Sequence, residues 1–597
     1  MSEFNFTRDV SRFWVMQCTL SQPQGLRYRL LLSCPDYITT PSMENDMHTF
    51  LIPRPFWVND LDQTHCHSCN NAFGPLRRRV RSFPKSHHCR QCGNIFCHDC
   101  SSRSIPLPQL GYGTRPVRVC NQCLEVAYLV TYIIDEDHGS TTQIHGARGL
   151  LEVVERDNDQ DLAKLVQNGG VDALIWLCRS QRDSELHFFA TSALAILSEK
   201  ESIRPVIITK SALRPLIQLM ALYLSKPMPL DSKEADKVSS PIIREDVRLE
   251  VLLNCSHVIF QLGRAGKVYE MPMLTSQEIR SDGAFITLLQ LADFHYTPLT
   301  DDTENSEKPI DMQALLDREQ MIQSVAAKGI SAICATGSFI SLLPVSNQPA
   351  IFEVINNPDQ LTSLLESNNS LVTKYIAKAI AYLSLRNDKY KSQLLQGKGA
   401  KILVQKLKVT AADQDTNNVA DKASSDETNS DQTSNLEMSM VANLCCAIAN
   451  FATNVWVDLT GESQQRLMTQ PQLLQNLCAT AAHYSSNTEI HRHIARCFAN
   501  FALYDTNRKS MLHQTNKKKN VTYNVIPTLL AIGQSAIVTP DVQRHVVRAI
   551  DNLSNQDITE QHRSTFAESL PLLKSWMKDN PDADLVKRAE TICCRFE

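Results

Sequence analysis

Eight cysteines between positions 66 and 123 constrain this chain more than any other feature of its sequence. They form four C-x2-C pairs, separated in turn by 19, 4 and 19 residues. A gap of two residues lets both thiolates of a pair point at one metal ion, and a structural zinc ion takes four ligands, with sulfur at about 2.3 Å. Four such pairs therefore predict two closed zinc sites, whose metal supplies the folding energy of a module too small for much core. The cysteines are Cys66, Cys69, Cys89, Cys92, Cys97, Cys100, Cys120 and Cys123.

The rest of the sequence favours zinc over a disulfide framework. Residues 1–20 carry charges and lack a sustained apolar core, so no secretory signal peptide is expected. No run of about 18 apolar residues occurs, which predicts that no segment spans a bilayer. With 60 basic and 64 acidic residues the charge is nearly balanced, so attraction to a membrane or a nucleic acid must come from a local patch. Any membrane role is therefore expected to be peripheral.

Three short motifs surround the cysteines. WVND at 57–60 precedes the first pair, KSHHCR at 85–90 contains the first cysteine of the second pair, and PVRVC at 116–120 leads into the fourth. With these motifs, residues 56–128 resemble the FYVE domain, whose signatures are WxxD, R(R/K)HHCR and RVC. The resemblance covers the whole length of that small domain.

The resemblance implies a cross-brace and a ligand. One zinc ion would take Cys66, Cys69, Cys97 and Cys100, and the other Cys89, Cys92, Cys120 and Cys123. The ligand implied is the headgroup of phosphatidylinositol 3-phosphate, with basic side chains on the phosphate and a carboxylate on the ring hydroxyls. The residues that match the headgroup positions are Asp60, Lys85, His87, His88, Arg90 and Arg118. One departure is Ser86, which replaces the second residue of the family's basic pair.

The loop at 74–84 is longer than is usual in the family and carries four arginines between apolar residues. In the family this loop enters the membrane. Apolar side chains can reach the acyl boundary while arginines meet anionic headgroups. The sequence therefore predicts a membrane loop formed by Leu76, Arg77, Arg78, Arg79, Val80, Arg81 and Phe83. The alternative is a solvated basic loop, or a patch for nuclear import or nucleic acid.

Residues 140–597 show apolar residues at helical spacing, and short helical segments recur, for example at 190–198, 494–502 and 546–554. This region resembles armadillo repeats, so the expected fold is mainly α, an armadillo/HEAT-like α-solenoid that follows the finger. The acidic insertion at 411–437 has almost no large apolar residue and is expected to be disordered. Residues 1–50 form an N-terminal segment for which the sequence predicts no definite structure.

Two helices of this region match position for position, RHIARCFANF at 492–501 and RHVVRAIDNL at 544–553. In armadillo repeats the equivalent asparagine lines a groove and holds an extended peptide. The predicted partner groove is formed by Asn450, Arg496, Asn500, Arg548 and Asn552, and its arginines favour an acidic or phosphorylated protein segment. Two alternatives stay open: these residues satisfy backbone groups within the repeats, or the segment 411–437 folds back into the groove.

The sequence therefore predicts a peripheral membrane adaptor and not an enzyme. The finger would bind phosphatidylinositol 3-phosphate on endosomal or vacuolar membranes, and the helical region would bind protein partners. Two closed zinc sites leave no open position for catalysis, and residues 140–597 contain no Gly-rich phosphate loop, GxSxG or HExxH motif. The alternatives are a zinc-finger ubiquitin ligase and a nucleic-acid-binding finger.

Overall fold

The structure is a computed structural model of the chain. The residues it describes are 14–19, 27–32, 50–73, 85–135, 137–179, 182–224, 245–264, 283–296, 312–335, 348–355, 359–385, 388–408, 427–453, 462–512, 515–516, 521–522, 524–555, 560–578 and 580–597. They fall into two compact units. The first extends to Leu262, and the second takes in Gly263–Tyr296 and Met312–Glu597.

Eight short strands pair into four antiparallel hairpins. The first hairpin lies in the N-terminal segment, the second and third lie among the cysteine pairs, and the fourth lies in the second unit. The strands are β1 Trp14–Thr19, β2 Arg27–Leu32, β3 His87–His88, β4 Ile95–Phe96, β5 Arg103–Ile105, β6 Val117–Val119, β7 Thr515–Asn516 and β8 Val521–Thr522.

Helices make up most of the described chain, which confirms the prediction of a mainly α fold. In the first unit, and across its end at Leu262, they are α1 Asn121–Ile133, α2 Ser140–Glu155, α3 Asp159–Gln167, α4 Gly170–Leu177, α5 Ser184–Glu199, α6 Arg204–Thr209, α7 Leu213–Leu224 and α8 Glu245–Gly263. In the second unit they are α9 Ala284–Ala292, α10 Met312–Ala335, α11 Gln348–Val354, α12 Asp359–Ser363, α13 Ser370–Leu383, α14 Asp388–Leu394, α15 Gly399–Lys406, α16 Glu427–Phe451, α17 Glu462–Met468, α18 Leu473–His483, α19 Thr488–Phe501, α20 Asp505–Leu512, α21 Val525–Gln534, α22 Pro540–Leu553, α23 Glu560–Ala567, α24 Leu570–Met577 and α25 Ala583–Phe596. None of the helices that the structure describes is both long and apolar enough to cross a bilayer.

Five long helices of the second unit, α13, α16, α19, α22 and α25, pack in that order, each against the next; we call them the ladder helices. Four of them begin at a capping side chain that accepts a backbone N–H of the first turn. The caps are Asn369, Asn487, Thr539 and Asp582. Such a cap stabilises a helix by about 1 kcal/mol, so these polar residues fix where each repeat starts.

The ladder helices bury one apolar face each. In α19 this face includes Ile494, Cys497, Phe498 and Phe501, all buried. Burial raises the pKa of the Cys497 thiol well above its ordinary value, so this cysteine packs as a small apolar residue, as the sequence predicted.

Three asparagines cross-link the ladder helices. The Nδ2 amide of Asn450 donates to the carbonyl oxygen of Ala381 at 2.9 Å. Asn500 donates in the same way to Ala449 at 3.1 Å, and Asn552 to Ala499 at 2.8 Å. All three asparagines are buried, and each reaches the previous ladder helix one residue before the equivalent position. The repeated asparagine therefore fixes the register of neighbouring helices.

Arginines complete these cross-links. Arg496 donates from Nη2 to the Oδ1 of Asn450, and Arg548 donates from Nη2 to the Oδ1 of Asn500 at 3.1 Å. Farther along, Arg588 donates to Asp551 at 2.8 Å. The side-chain amides of Asn450 and Asn500 thus each donate one hydrogen bond and accept another within the ladder helices.

One boundary predicted from the sequence is corrected. Helix α16 begins at Glu427, so the last part of the acidic segment 411–437 is helical and not disordered. Its helical conformation is accompanied by contacts from a later turn, since Tyr484 donates to Glu437 at 2.8 Å and Asn487 approaches the sulfur of Met438 at 3.9 Å. Residues 411–426 lie outside the described part of the chain.

Replacing Asn500 with alanine should lower the free energy of unfolding by about 2–3 kcal/mol, because Ala449, Thr453 and Arg548 all lose a buried partner. Chemical denaturation followed by circular dichroism measures this. The matched control is Asn555→Ala, which removes an exposed amide and should change stability by less than about 0.5 kcal/mol. Equal effects of the two substitutions would contradict the cross-link.

Protonation of His493 should lower the stability of the ladder helices in acid. Burial, with Arg496 and Arg492 on the same helix and His545 on the next, lowers the pKa of His493 to about 3, although Glu489 lies 3.6 Å away. Below about pH 6.5 this histidine is protonated in the unfolded chain but stays neutral in the folded chain. The free energy of unfolding therefore falls as the pH falls, by up to about 2 kcal/mol between pH 7 and 5.

Denaturation at pH 7 and pH 5 measures this loss, and His493→Gln should reduce it. A control of opposite sign is His138→Gln. The hydrogen bond that the His138 Nδ1 donates to the Asp135 carboxylate raises the pKa of the exposed His138. Its stabilisation is therefore present in acid, and removing it should steepen the acid loss. An unchanged pH dependence in His493→Gln would show that this histidine is not held neutral.

Candidate functional site

The structure gathers the eight cysteines into two quartets. One is Cys66, Cys69, Cys97 and Cys100, and the other is Cys89, Cys92, Cys120 and Cys123. Within each quartet the ligand atoms all lie within 4.8 Å of one another. Four sulfurs around a tetrahedral zinc ion are about 3.8 Å apart, and the Sγ atoms of Cys69 and Cys97 are separated by 3.8 Å. The donor set and its spacing therefore fit two zinc ions in the interleaved pairing that the family resemblance implied.

The backbone builds the two quartets in the same way. In the first pair the amide of Asn70 donates to the carbonyl of Cys66, and in the second Gly93 donates to Cys89. Both donors lie in the left-handed region, with φ of 56° and 77°. At Gly93 a Cβ atom would meet the carbonyl oxygen of Phe56 at 2.1 Å, so only glycine permits this turn to lie against the preceding segment.

Backbone hydrogen bonds to sulfur also connect the two cysteine pairs within each quartet. The amide of Cys97 donates to the Sγ of Cys66 at 3.3 Å, and the amide of Cys120 donates to the Sγ of Cys89 at 3.2 Å. Each bond joins one pair to the next but one along the chain. N–H donors of this kind stabilise a negatively charged thiolate, which is the form that binds zinc.

Two of the predicted headgroup residues contact one aromatic ring, and a third lies beside one of them. The Trp57 ring stacks on His88 with centroids 4.7 Å apart, and the Arg90 guanidinium lies 4.8 Å from the Trp57 ring. The Nε2 of His88 donates to the carbonyl of Val58 at 2.9 Å and lies 3.7 Å from Asp60. Trp57 therefore holds the histidine and the arginine in place. The sequence marked this tryptophan as part of a motif but showed no role for it.

The other basic residues lie beside them. Arg118 donates from Nη1 to the carbonyl of Ser101 at 2.6 Å, and its own carbonyl accepts the amide of Arg90 at 2.9 Å. Burial, and then the charges of Arg118, His98, Lys85 and Arg90, lower the pKa of His87. We call Lys85, His87, Arg90 and Arg118 the basic cluster.

The basic cluster lacks internal neutralisation. Among the described residues, no carboxylate forms an ion pair with Lys85, Arg90 or Arg118. The ring centroid of His98 lies 6.1 Å from that of His87, so a further basic side chain lies beside the cluster. The arrangement can therefore receive an anion, with Asp60 at its edge as the one acceptor among the predicted headgroup residues.

The finger is joined to the helices that follow it. Helix α1 begins directly after Cys120, contains Cys123, and packs against α2, α3 and α4. The Nε2 of Gln91 donates to the carbonyl of Asn168 at 3.3 Å, between the finger and the end of α3. The basic cluster is therefore held in a fixed orientation to the first helices.

The remaining predicted site residues divide into two groups. The predicted membrane loop, Leu76 to Phe83, lies outside the described residues. The predicted groove residues Asn450, Asn500 and Asn552 are buried in the cross-links of the ladder helices, as one of the alternatives for them expected. Arg496 and Arg548 are partly exposed, and a partner surface built on them stays a prediction.

Replacing Cys120 with serine should remove one of the two zinc ions, since three thiolates no longer close the site. Because α1 begins at this residue, the thermal unfolding temperature should fall as well. Metal analysis of the purified protein gives the zinc content. The control is Cys594→Ser, which changes an exposed cysteine and should leave two zinc ions per chain. A full zinc content in Cys120→Ser would contradict the assignment.

Comparison with known proteins places this geometry in a family. A family model described as FYVE zinc finger matches residues 56–128. Lateral signaling target protein 2 homolog of Brugia malayi is 44% identical over 95 residues, which cover 14% of this chain and 14% of that protein. Vacuolar protein sorting-associated protein 27 of Eremothecium gossypii is 37% identical over 112 residues, 19% of this chain and 16% of that protein. RUN and FYVE domain-containing protein 1 of Homo sapiens is 43% identical over 67 residues, 11% and 8% respectively.

Solved structures match a larger part of the chain at low similarity. An engineered protein has a TM-score of 0.45 and 17% identity, and the match covers 79% of this chain and 98% of that one. A designed armadillo repeat protein in complex with the peptide (KR)4 has a TM-score of 0.33 and 16% identity, covering 54% and 99%. The chain spans less than a fifth of the length of the curated relatives named above. Residues 56–128 of this chain are a FYVE zinc finger, and its two cysteine quartets bind two zinc ions.

Proposed function

We propose that this protein is a peripheral membrane adaptor whose finger binds the headgroup of phosphatidylinositol 3-phosphate. The observation that carries the proposal is the basic cluster, because its lysine and arginines have no carboxylate partner among the described residues and lie beside the ordered Trp57–His88 pair. A phosphate monoester would supply the missing negative charge. Arginine can meet it with two parallel N–H donors.

Asp60 supports the choice of a singly phosphorylated inositol ring. Its carboxylate lies 3.7 Å from the Nε2 of His88, at the edge of the cluster. A carboxylate accepts hydrogen bonds from ring hydroxyls and repels a phosphate in the same position. The site therefore favours one phosphate at the basic cluster and free hydroxyls near Asp60.

The helical array is the proposed binding surface for protein partners. Arg496 and Arg548 are its best candidates for an acidic or phosphorylated segment, because both are partly exposed and neither pairs with a carboxylate among the residues described. The finger would then determine the membrane, and the array would determine the cargo. The relatives with FYVE fingers include one named for vacuolar protein sorting, and we propose an endosomal or vacuolar membrane for this chain as well.

A gain of affinity gives the sharpest test of the lipid site. Ser86→Arg restores the second basic residue of the family motif beside the basic cluster, and it should tighten binding to vesicles containing phosphatidylinositol 3-phosphate several-fold, by about 1 kcal/mol. Arg90→Ala should weaken binding by about tenfold or more. Sedimentation with vesicles measures both, and the zinc content shows that each variant is folded.

The matched control is Arg103→Ala, which removes an exposed arginine and should leave binding unchanged. Vesicles with phosphatidylinositol, or with its 4-phosphate, should bind more weakly than those with the 3-phosphate. Equal binding to all of these lipids, or a preference for RNA over every vesicle, would overturn the proposed function.

A further inference from the structure

One short stretch of the described chain contains several large exposed apolar side chains. Four of the nine among the described residues lie between positions 51 and 61, namely Leu51, Phe56, Trp57 and Leu61. Phe56 is 76% exposed and Leu61 is 80% exposed. Single exposed apolar residues are common on protein surfaces, whereas clusters of them mark contact sites.

The segment Phe56–Leu61, which we call the apical segment, is fixed on the finger. The amide of Val58 donates to the carbonyl of Gly93 at 3.1 Å, and the carbonyl of Val58 accepts from His88 at 2.9 Å. The side chain of Asn59 accepts the amide of Leu61 at 3.0 Å and closes a turn there. The two exposed apolar side chains are therefore held outward by hydrogen bonds on both sides.

The apical segment also carries residues of the proposed headgroup site. Trp57 stacks on His88 and lies beneath the Arg90 guanidinium, and Asp60 lies 3.7 Å from His88. Phe56 and Leu61 directly adjoin these two residues in the chain. A headgroup bound at this site therefore brings the bilayer surface to the exposed apolar side chains.

We propose that the apical segment is a membrane-inserting element, in which Phe56 and Leu61 enter the acyl–headgroup boundary when the neighbouring site holds a phosphoinositide. The proposal rests on the proposed lipid function, and it adds a second apolar contact to the one predicted from the sequence for the loop at 76–83. Apolar side chains that reach about 5–10 Å below the headgroups gain affinity in proportion to the area they bury. Trp57, which is half exposed, is suited to the interface itself, where an aromatic ring with a polar N–H is favoured.

The discriminating variant is Phe56→Ser combined with Leu61→Ser in the full chain. It should bind soluble inositol 1,3-bisphosphate as the wild type does, because neither residue is among the proposed headgroup residues. Its affinity for phosphatidylcholine vesicles containing phosphatidylinositol 3-phosphate should fall by about tenfold or more, as expected for two lost apolar contacts. The matched control is Leu503→Ser, which removes a 55% exposed leucine from the helical array and should change neither measurement.

A second measurement reports on insertion directly. Leu61→Trp should show fluorescence quenching by vesicles with brominated acyl chains beyond that of the wild type, because the new indole would lie at the acyl boundary. Quenching equal to that of the wild type would overturn the proposal even if the double serine variant were poorly folded.

The outcomes separate the two proposals. Lost vesicle binding with intact inositol bisphosphate binding supports insertion. Unchanged binding in both assays overturns insertion and leaves the lipid function standing, and so does a parallel loss in both, which would place the two residues in the headgroup site. A wild-type chain that binds neither the soluble headgroup nor the vesicles overturns the proposed function itself. A loss of self-association in the double variant, with unchanged vesicle binding, would assign the apical segment to a second copy of the chain and overturn insertion.

Discussion

The interleaving of two zinc sites is the constraint on which the rest of this structure depends. Each cysteine pair shares its ion with the pair next but one, so none of the four pairs can be displaced without opening a site. The amide-to-sulfur bonds of Cys97 and Cys120 repeat this connection in the backbone. Short hairpins such as β3–β4, with only two residues in each strand, would not be stable by themselves. The metal therefore does more than stabilise the finger: it holds His88 where Trp57 stacks on its ring and Arg90 donates to its carbonyl.

The same constraint passes into the helical region through α1. Because this helix begins between the two cysteines of the last pair and packs against α2, α3 and α4, the zinc sites define the start of the array. Close packing makes the connection stiff. A Cβ added at Gly146 of α2 would lie 2.7 Å from the carbonyl oxygen of Leu129 in α1, so these two helices approach at backbone distance. The basic cluster and the first helices are consequently joined by close packing.

Much of the zinc finger could be predicted from the spacing of its residues, and little of it from residue type alone. The C-x2-C spacing predicted the sites, and the motifs around it predicted which side chains gather there, because in so small a finger most neighbours in space are neighbours of a ligand. Phe56 and Leu61 escaped prediction, since an apolar residue in a sequence is expected to be buried and only the fold shows that these two are not. The boundary at 437 failed for a related reason. The segment 411–437 contains few large apolar residues, which predicted disorder. Its last part is nevertheless helical, because the helix that includes the apolar residues after 437 extends back to Glu427.

The repeated asparagines show what a sequence pattern alone does not determine. Equivalent positions on two helices, 500 and 552, predicted a shared face, and the sequence left open whether a partner segment, the segment 411–437 or the repeats themselves occupy it. In the structure the occupant is the previous helix, since the amide of each asparagine donates to a carbonyl of that helix. The arginines are different, because an amide oxygen accepts a hydrogen bond from guanidinium without neutralising its charge. Burial is the main cause that lowers the pKa of Arg548; the charges of Arg588 and Arg496 add to it, and that of Asp584 opposes it. An anionic segment would reduce the repulsion between these arginines. The asparagines already bond within the repeats, so the residues that remain to recognise the proposed partner are Arg496 and Arg548, which form no ion pair with a carboxylate among the described residues.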